Sequence, residues 1–530
     1  MQALPDWLEP LPDAEAMRAI DRWAIEQQGV PGLELMERAG AGVTRAVEQL
    51  APDGPVAVLC GKGNNGGDGL VVARLLRHAG REVTVVCVAP VQEFKGDAAE
   101  NLARLPGAAP VSLEQGAEAL TAASVIVDAL LGTGFAGEPH GVVADAIEAI
   151  AAARGAVVAV DVPSGVDAST GVVSGRAVRA AITVTFHAGK PGLWIAPGKA
   201  HAGDVQRIEI GIPRGAPLQA TVGLTRAGVR ELLPRRATDS TKFASGQVVV
   251  AGGSRGLTGA PRMAAHAAMR AGAGYVIACV PRSLQDLLAA AATPELMTRG
   301  LPEQEDSLAP AAVASVLENI RPGGALALGP GLGRSDGAVA FARELARSAQ
   351  APLVLDADGL NAHAGRLGDL RSRTQPTVLT PHAGELGRLL ELESVEIERE
   401  RLRHARAAAE RSGAVVVLKG DDTLIADPAG RVAVSRGGSP ALATAGTGDV
   451  LTGVVAALLA QGLDAFSAAT AGVWLHAQAG REAARRQGGP EGVIASDVIE
   501  ALPAARGGGT GFAGGMPDSA ADRPGPAGHG

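Results

Sequence analysis

Five apolar residues, Val56 to Cys60, run straight into Gly61-Lys-Gly-Asn-Asn-Gly-Gly-Asp-Gly69, and apolar residues at helical spacing resume from Leu70 to His78. The spacing predicts a strand, a glycine-rich loop and a helix, the unit from which doubly wound parallel sheets are built. Such a loop binds anions, because glycines let the backbone approach a phosphate and the following helix presents unpaired N–H groups with partial positive charge. A phosphate cradle does not need Asn64, Asn65 and Asp68. Their oxygens suit a hard cation or a polar ligand edge, so the stretch reads as a site rather than as a turn alone.

The pattern recurs along the first half. Glu82 to Ala89 reads as a second strand, but no acidic residue stands near its end to take ribose hydroxyls, and the Asn-Asn loop departs from the dehydrogenase spacing. An ordinary hydride-transfer enzyme is therefore disfavoured. Ser124 to Val127 is a third strand, ending in Asp128 and the loop Gly132-Thr-Gly-Phe-Ala-Gly137; Val157 to Val160 is a fourth, ending in Asp161-Val-Pro-Ser164. Asn65, Asp128 and Asp161 with Ser164 are thus expected at the carboxyl edge of one sheet, where doubly wound folds bind ligands. Ala181 to Phe186 and Val205 to Ile210 complete that sheet. Helical segments at Asp13 to Gln28 and Leu33 to Leu50 are expected to cover it.

From Pro213 to Pro234 strand patterning is lost, and a domain boundary is expected there. Strand-like runs then recur at Gln247 to Ala251, Tyr275 to Val280, Ala325 to Leu328, Leu353 to Leu355, Thr377 to Leu379 and Ala414 to Leu418, a second α/β sheet. Gly252 to Gly256 matches the Gly-x-Ser-x-Gly elbow of hydrolases in form only, since Arg255 to Gly259 separate Ser254 from the helix expected over Ala260 to Ala271. The expected organisation is a first domain over 1–215, a second over 222–506, and a Gly- and Pro-rich tail over 507–530 without enough apolar side chains to fold.

With 530 residues the chain is too long for one core, and 46% apolar residues supply ample material for two. A net charge of -8 without a basic tract argues against a nucleic-acid surface. Cys60, Cys87 and Cys279 lie in apolar runs with neither metal nor disulfide spacing, which suits a reducing compartment, and Asp6, Glu9 and Asp13 stand where an export signal needs basic residues. The expectation is a cytoplasmic protein with no membrane partner. The longest apolar helix candidate, Val450 to Leu463, is too short and too interrupted for a bilayer.

In the second half Gly446-Thr-Gly-Asp449 opens that apolar helix, which places backbone N–H groups beside a carboxylate. Phosphoryl transfer to an alcohol needs this pair: donors for the developing charge and a base for the hydroxyl proton. No Walker loop is present. Lys419-Gly-Asp-Asp-Thr423, after a buried strand, offers an ammonium, backbone amides and a hydroxyl to a nucleotide's phosphates.

The stretch Gly63 to Gly69, with Val127-Asp-Ala-Leu-Leu-Gly-Thr-Gly134 and Val160-Asp-Val-Pro-Ser-Gly165, closely resembles the NAD(P)H-hydrate epimerase family. The second half resembles its usual fusion partner, the ADP-dependent NAD(P)H-hydrate dehydratases, which have a ribokinase-like fold. The resemblance implies an α/β protein of two domains, a Rossmann-like doubly wound sheet followed by a ribokinase-like domain. It implies an isomerase that interconverts the R and S hydrates of NADH and NADPH, and a lyase that restores the S hydrate to NAD(P)H while ADP becomes AMP and phosphate. For the epimerase site it implies hydrate contacts from Asn64, Asn65, Gly66, Gly67 and Asp68, from Gly132, Thr133, Gly134, Phe135, Ala136, Gly137 and Glu138, and from Asp161 as acid/base, with potassium on Asn65, Asp128 and Ser164. For the dehydratase site it implies Ala260, Gly331, His382 and Asp449 against the hydrate, Asp449 as base, and Lys419, Gly420, Asp421, Asp422, Thr423 and Gly448 against the nucleotide. Glu385 and Asp358 are candidates to help hold magnesium through water. A homo-oligomer is implied, a tetramer among the options.

Two rivals stand beside this reading. A ribokinase-like hydroxyl kinase of the vitamin-salvage type shares the Gly-Thr-Gly-Asp turn but leaves the first half without a role. A dinucleotide sensor without turnover does not need both sets of acidic loops.

Overall fold

The computed structural model describes residues 3–507. The expected tail lies outside the described residues except for Gly507, which ends the helix Ala495–Gly507. The chain forms two compact units, one of residues 10–222 and one of residues 3–9 with 223–507. Residues 3–9, expected with the first domain, thus cluster with the second half. The cause is a short strand, β1 (Leu8–Leu11), whose Leu8 is 1% exposed in the second unit's core.

The first unit is a six-stranded sheet of β2 (Val56–Cys60), β3 (Val83–Cys87), β4 (Val125–Ala129), β5 (Ala156–Val160), β6 (Ile182–Phe186) and β7 (Asp204–Ile208), in the order β3-β2-β4-β5-β6-β7. All neighbours pair in parallel, with Val56 opposite both Val83 and Val125. Near-continuous runs of Val, Ile and Ala suit a sheet buried on both faces, and separate apolar clusters form on its two sides. The chain leaves β2 toward β3 and returns to β4 on the other side, so the loops after β2 and β4 face each other across the switch point where such sheets bind ligands.

The helix there begins at Asn64 rather than at Leu70, so Asn64 to Gly69 are helical residues and not a loop. Their glycines permit close packing that side chains would block. A Cβ on Gly61 would collide with the Leu130 carbonyl, and one on Gly66 with the Gly61 carbonyl. The helix Ala14–Arg22, capped by Asp13, continues through a π-helical turn, Trp23–Gln27, and the helix Gly32–Leu50 follows.

The second unit carries β8 (Val222–Thr225) inside the stretch expected to lack a strand, then β9 (Gln247–Ala251), β10 (Tyr275–Pro281) and β11 (Met297–Leu301). A small pair, β12 (Glu303–Gln304) and β13 (Ser307–Leu308), precedes β14 (Ala325–Leu328), β15 (Leu353–Leu355), β16 (Thr377–Leu379), β17 (Val415–Leu418), β18 (Leu424–Ala426) and β19 (Val432–Val434). The eleven-stranded sheet runs β1-β8-β19-β18-β17-β16-β15-β14-β9-β10-β11. It is parallel from β17 to β11 and antiparallel at β17-β18 and β18-β19. Its switch point falls between β9 and β14. The apolar helix Thr447–Ala460 is buried along most of its length, and no helix among the described residues is long and apolar enough to cross a membrane.

Candidate functional site

In the first unit the carboxyl edges of β2, β4, β5 and β6 open into a cavity of about 910 Å³. It is lined by Asn64, Asn65 and Asp68, by Gly132 to Phe135, and by Asp161. The three strand ends singled out in the sequence therefore converge.

Asp161 follows β5 with φ 66°, a backbone region non-glycine residues seldom occupy. Its Oδ1 accepts from Lys190 Nζ at 2.5 Å, Thr185 Oγ1 at 3.1 Å and Phe186 N at 3.4 Å, and its Oδ2 accepts from Thr133 Oγ1. Burial raises the Asp161 pKa, but the Lys190 charge and these hydrogen bonds outweigh it and hold the carboxyl below its ordinary value. Of the other carboxyls lining the cavity, Asp21 and Asp68 act on Asp161 most directly. Burial pushes Asp21 up to about 6 and Asp68 well above the ordinary range, with Asp161 adding to both shifts. One carboxylate held ionised beside two biased toward the neutral acid is the separation that acid and base roles require.

Asp128, fully buried, sits behind this wall. Its Oδ1 accepts from Ser164 Oγ at 2.6 Å and its Oδ2 from Ser164 N at 2.8 Å. Asn65 Nδ2 donates to Leu131 O at 2.9 Å, and Ser164 Oγ also reaches that carbonyl at 3.4 Å. Asn65, Asp128 and Ser164 are thus brought to one oxygen-rich spot around Leu131 O. Burial raises Asp128 to about 6 against the bonds from Ser164 and Leu130. A buried acid that makes no ion pair among the described residues, with the Ser164 hydroxyl and the Leu131 carbonyl beside it, fits a hard cation.

Of the second unit's predicted residues, Glu385, Gly448 and Asp449 lie around Lys419, at the end of β17. Lys419 Nζ lies 3.1 Å from Asp356 Oδ1 and 3.6 Å from Glu385 Oε2. Burial lowers the Lys419 pKa, but the Asp356, Glu385 and Asp449 carboxylates outweigh it and keep the ammonium charged. Gly446 adopts φ 90° to turn into the helix Thr447–Ala460, which aims its first N–H groups outward. A Cβ on Gly448 would lie 3.6 Å from Lys419 Nζ, so the turn and the ammonium adjoin. Burial, with Asp356 next, pushes Asp449 up to about 7 despite Lys419. Across the switch point Gly253 N donates to Pro330 O at 2.9 Å, and a Cβ on Gly331 would lie 3.1 Å from Ala260 Cβ, which places Ala260 beside Gly331.

Several side chains have local structural partners. His382 Nδ1 accepts from Gly384 N at 3.0 Å and Glu385 Oε2 accepts from His382 N at 2.9 Å, a reciprocal cap on the helix Ala383–Leu390. The Nδ1 acceptor role leaves the proton on Nε2. Asp422 is turned inward to Arg401, Nε to Oδ2 at 3.1 Å, while Arg401 Nη2 donates to Lys419 O at 3.2 Å, so this buried pair braces the Lys419–Thr423 turn from behind. Asp358 accepts from Gly333 N at 3.0 Å and Arg334 Nε at 2.8 Å. With Asp358 tied to Arg334 and Glu385 facing Lys419, these two do not form a free carboxylate pair for magnesium. Among the described residues no group of three His, Cys, Asp or Glu side chains is arranged to hold a metal ion.

Lys190, Asp21, Thr185, Asp356 and Arg401 escaped the residue-level reading. Lys190 and Asp21 carried weak signals: a lone lysine in Ala188-Gly-Lys-Pro-Gly192 beside an apolar strand, and an acid on the apolar side of an amphipathic helix.

The two units are therefore α/β folds with polar sites at the carboxyl edges of their sheets, as in two enzymes joined in one chain. Residues 32–192 match the family described as YjeF-related protein N-terminus, and residues 248–504 match NAD(P)H-hydrate dehydratase. A bifunctional NAD(P)H-hydrate repair enzyme from Moorella thermoacetica is 42% identical over 92% of this chain and 95% of its own, and one from Salinibacter ruber is 42% identical over 93% and 95%. An ADP/ATP-dependent NAD(P)H-hydrate dehydratase from Bacillus subtilis, co-crystallized with ATP and Mg2+, is 28% identical over 52% of this chain and 94% of its own, with a TM-score of 0.45. The chain belongs to the family of bifunctional NAD(P)H-hydrate repair enzymes, which join an epimerase to a dehydratase.

Proposed function

We propose that residues 10–222 epimerise the R and S hydrates of NADH and NADPH, and that the second unit dehydrates the S hydrate at the expense of ADP. The observation that carries this reading is the pairing of Asp449 and the glycine turn at a helix N-terminus with the Lys419 ammonium. Hydroxide is a poor leaving group from the hydrated ring, and phosphate is a good one. Asp449 takes the hydroxyl proton as that oxygen attacks the terminal phosphorus of the nucleotide; the turn's N–H groups and Lys419 carry the charge that develops on the phosphoryl oxygens. The bond to the leaving AMP breaks, the ring nitrogen then expels phosphate, and loss of a ring proton restores the double bond. Magnesium would enter with the nucleotide's phosphates, since Asp358 and Glu385 are already engaged.

In the epimerase site the hydroxyl-bearing carbon adjoins the ring nitrogen. A neutral carboxyl among Asp21 and Asp68 protonates the leaving hydroxyl, water departs, and the nitrogen lone pair stabilises the cation. Asp161 takes a proton from water adding to the opposite face, which inverts the centre with no net proton change. Asn64 to Asp68 and Gly132 to Glu138 would hold the dinucleotide. Asn65, Asp128 and Ser164 would hold potassium, whose charge offsets the buried Asp128. A homo-oligomer in the cytoplasm completes the reading.

The test is one epimer mixture of NADH hydrate incubated with ADP, with ATP or with no nucleotide. Recovery of reduced-nicotinamide absorbance with ADP, and chromatographic equilibration of the epimers without nucleotide, are expected. A vitamin-salvage kinase would instead leave the hydrate unchanged in every tube.

A further inference from the structure

Lys190 is 0% exposed, and nothing in the motifs or in the assigned hydrate and cation contacts gives it a role. It lies on the loop after β6, beside the cavity it helps to line. Its ammonium has three protons and three acceptors: Asp161 Oδ1 at 2.5 Å, Thr185 Oγ1 at 2.9 Å and Phe186 O at 3.0 Å. An ammonium so saturated has no proton aimed at a ligand. Burying a lysine costs several kcal/mol unless its charge is paired and its donors are satisfied, so the arrangement requires a reason beyond packing.

The reason lies on Asp161. Lys190, Thr185 and the Phe186 N–H all converge on Oδ1, and only Thr133 meets Oδ2. Three donors on one oxygen fix the rotation of the carboxylate and leave Oδ2 as the oxygen with lone-pair capacity toward the cavity. We infer that Lys190 is a positioning residue for epimerisation, holding Asp161 by Oδ1 so that Oδ2 is presented to the substrate as the base. This rests on the epimerase reading above and adds to it the residue that sets how Asp161 faces the substrate; in the direction in which Asp161 takes the proton, donation comes from another carboxyl of the cavity.

The charged groups around Asp161 define what its pH response should be. Asp21 faces it from the helix Ala14–Arg22, Asp68 from the helix Asn64–His78, and Lys190 from behind β6. His187, 3.5 Å from Glu209 and near Arg207, faces Lys190 in turn. Without Lys190 the bonds from Thr133, Thr185 and Phe186 would remain, but no positive charge would stand against burial and the two acids, which disfavour the charge on Asp161. A base works when ionised, so the acid limb of the rate profile must then move to higher pH.

The experiment is the pH profile of kcat/KM for epimerisation of NADPH hydrate by the full chain and by Thr185→Val, Lys190→Met and Lys190→Arg. Thr185→Val keeps shape while deleting the hydroxyl that joins both partners. It should move the acid limb up by a few tenths of a pH unit. Lys190→Met should move it by roughly one unit or more, with a lower plateau, and Lys190→Arg should recover part of that shift. ADP-driven dehydration of the S epimer should be unchanged in all three. An acid limb at the parent position in Thr185→Val and in Lys190→Met overturns the proposal. If thermal unfolding shows Lys190→Met not to fold, Thr185→Val alone decides by the same criterion. A parent chain that leaves the epimers unequilibrated would remove the epimerase reading itself, before any variant is compared.

Discussion

Asp356 holds Lys419. The carboxylate is 2% exposed and accepts from Lys419 Nζ at 3.1 Å and Thr380 Oγ1 at 2.8 Å through Oδ1, and from Thr452 Oγ1 at 2.7 Å through Oδ2. Thr452 belongs to the helix that the Gly446–Asp449 turn opens, so one buried acid ties the ammonium and the proposed anion hole together. Asp356→Ala should lower second-unit stability by about 3–5 kcal/mol, the scale for stranding a buried charge, and raise the nucleotide KM. Denaturant unfolding with an ADP titration checks both; an unchanged KM would show that Lys419 holds its place without Asp356.

Asp449 is pushed up to about 7, chiefly by burial. A base must be ionised, so dehydration should rise with pH through about 7 and level off above it. In Asp449→Asn that limb should vanish and the rate fall by roughly 10² or more, the scale of a lost general base. Epimerisation in the same preparation should persist. Near-normal dehydration would remove Asp449 from the mechanism, and joint loss of both reactions would point to misfolding.

Asn65→Ala removes the carboxamide that bonds Leu131 O, and Asp128→Ala removes the carboxylate that holds Ser164 beside it. Both should weaken or abolish the potassium response of epimerisation while leaving dehydration intact. The check is epimer equilibration across a potassium series at constant ionic strength. Parent-like rates with an unchanged potassium response in both variants would refute the site.

Leu8 packs among Val229, Ala441 and other residues of the second unit's core. Trp7 beside it stacks near Phe466 with ring centres 5.7 Å apart, and Arg436 Nη2 reaches Glu9 Oε2 at 2.6 Å. Leu8→Ala should cost about 2–5 kcal/mol and should show as earlier thermal loss of dehydration than of epimerisation. Equal loss of the two activities would assign residue 8 to the first unit's stability instead.

The parallel sheets were legible because strands buried on both faces must be apolar throughout, and Val56 to Cys60 or Gln247 to Ala251 offer no other reading. β18 and β19, three residues each, are too short for a period to register, and β8 was hidden by the Pro and Arg residues flanking it. The Asn-Asn-Gly-Gly-Asp stretch pointed to a site but looked like a loop, because glycine propensity argues against the helix that tertiary packing imposes. Lys190 and Asp356 were beyond reach for another reason. Their meaning lies in partners 29 and 63 residues away, and a single lysine between a glycine and a proline looks the same on paper whether it faces solvent or a buried carboxylate.

Since β1 and β8 are neighbours at the end of the eleven-stranded sheet, residues 12–221 are a loop in the topology of the second unit. In chain order the first unit is thus inserted between β1 and β8 of the second rather than preceding all of it. A cut near residue 215 would not yield two finished enzymes: it would strip the dehydratase of its outermost strand and leave the β8 edge with unpaired N–H and C=O groups, an invitation to aggregate. Independent dehydratase from this chain would have to carry residues 3–11 grafted ahead of 222, a short bridge in place of an entire catalytic unit.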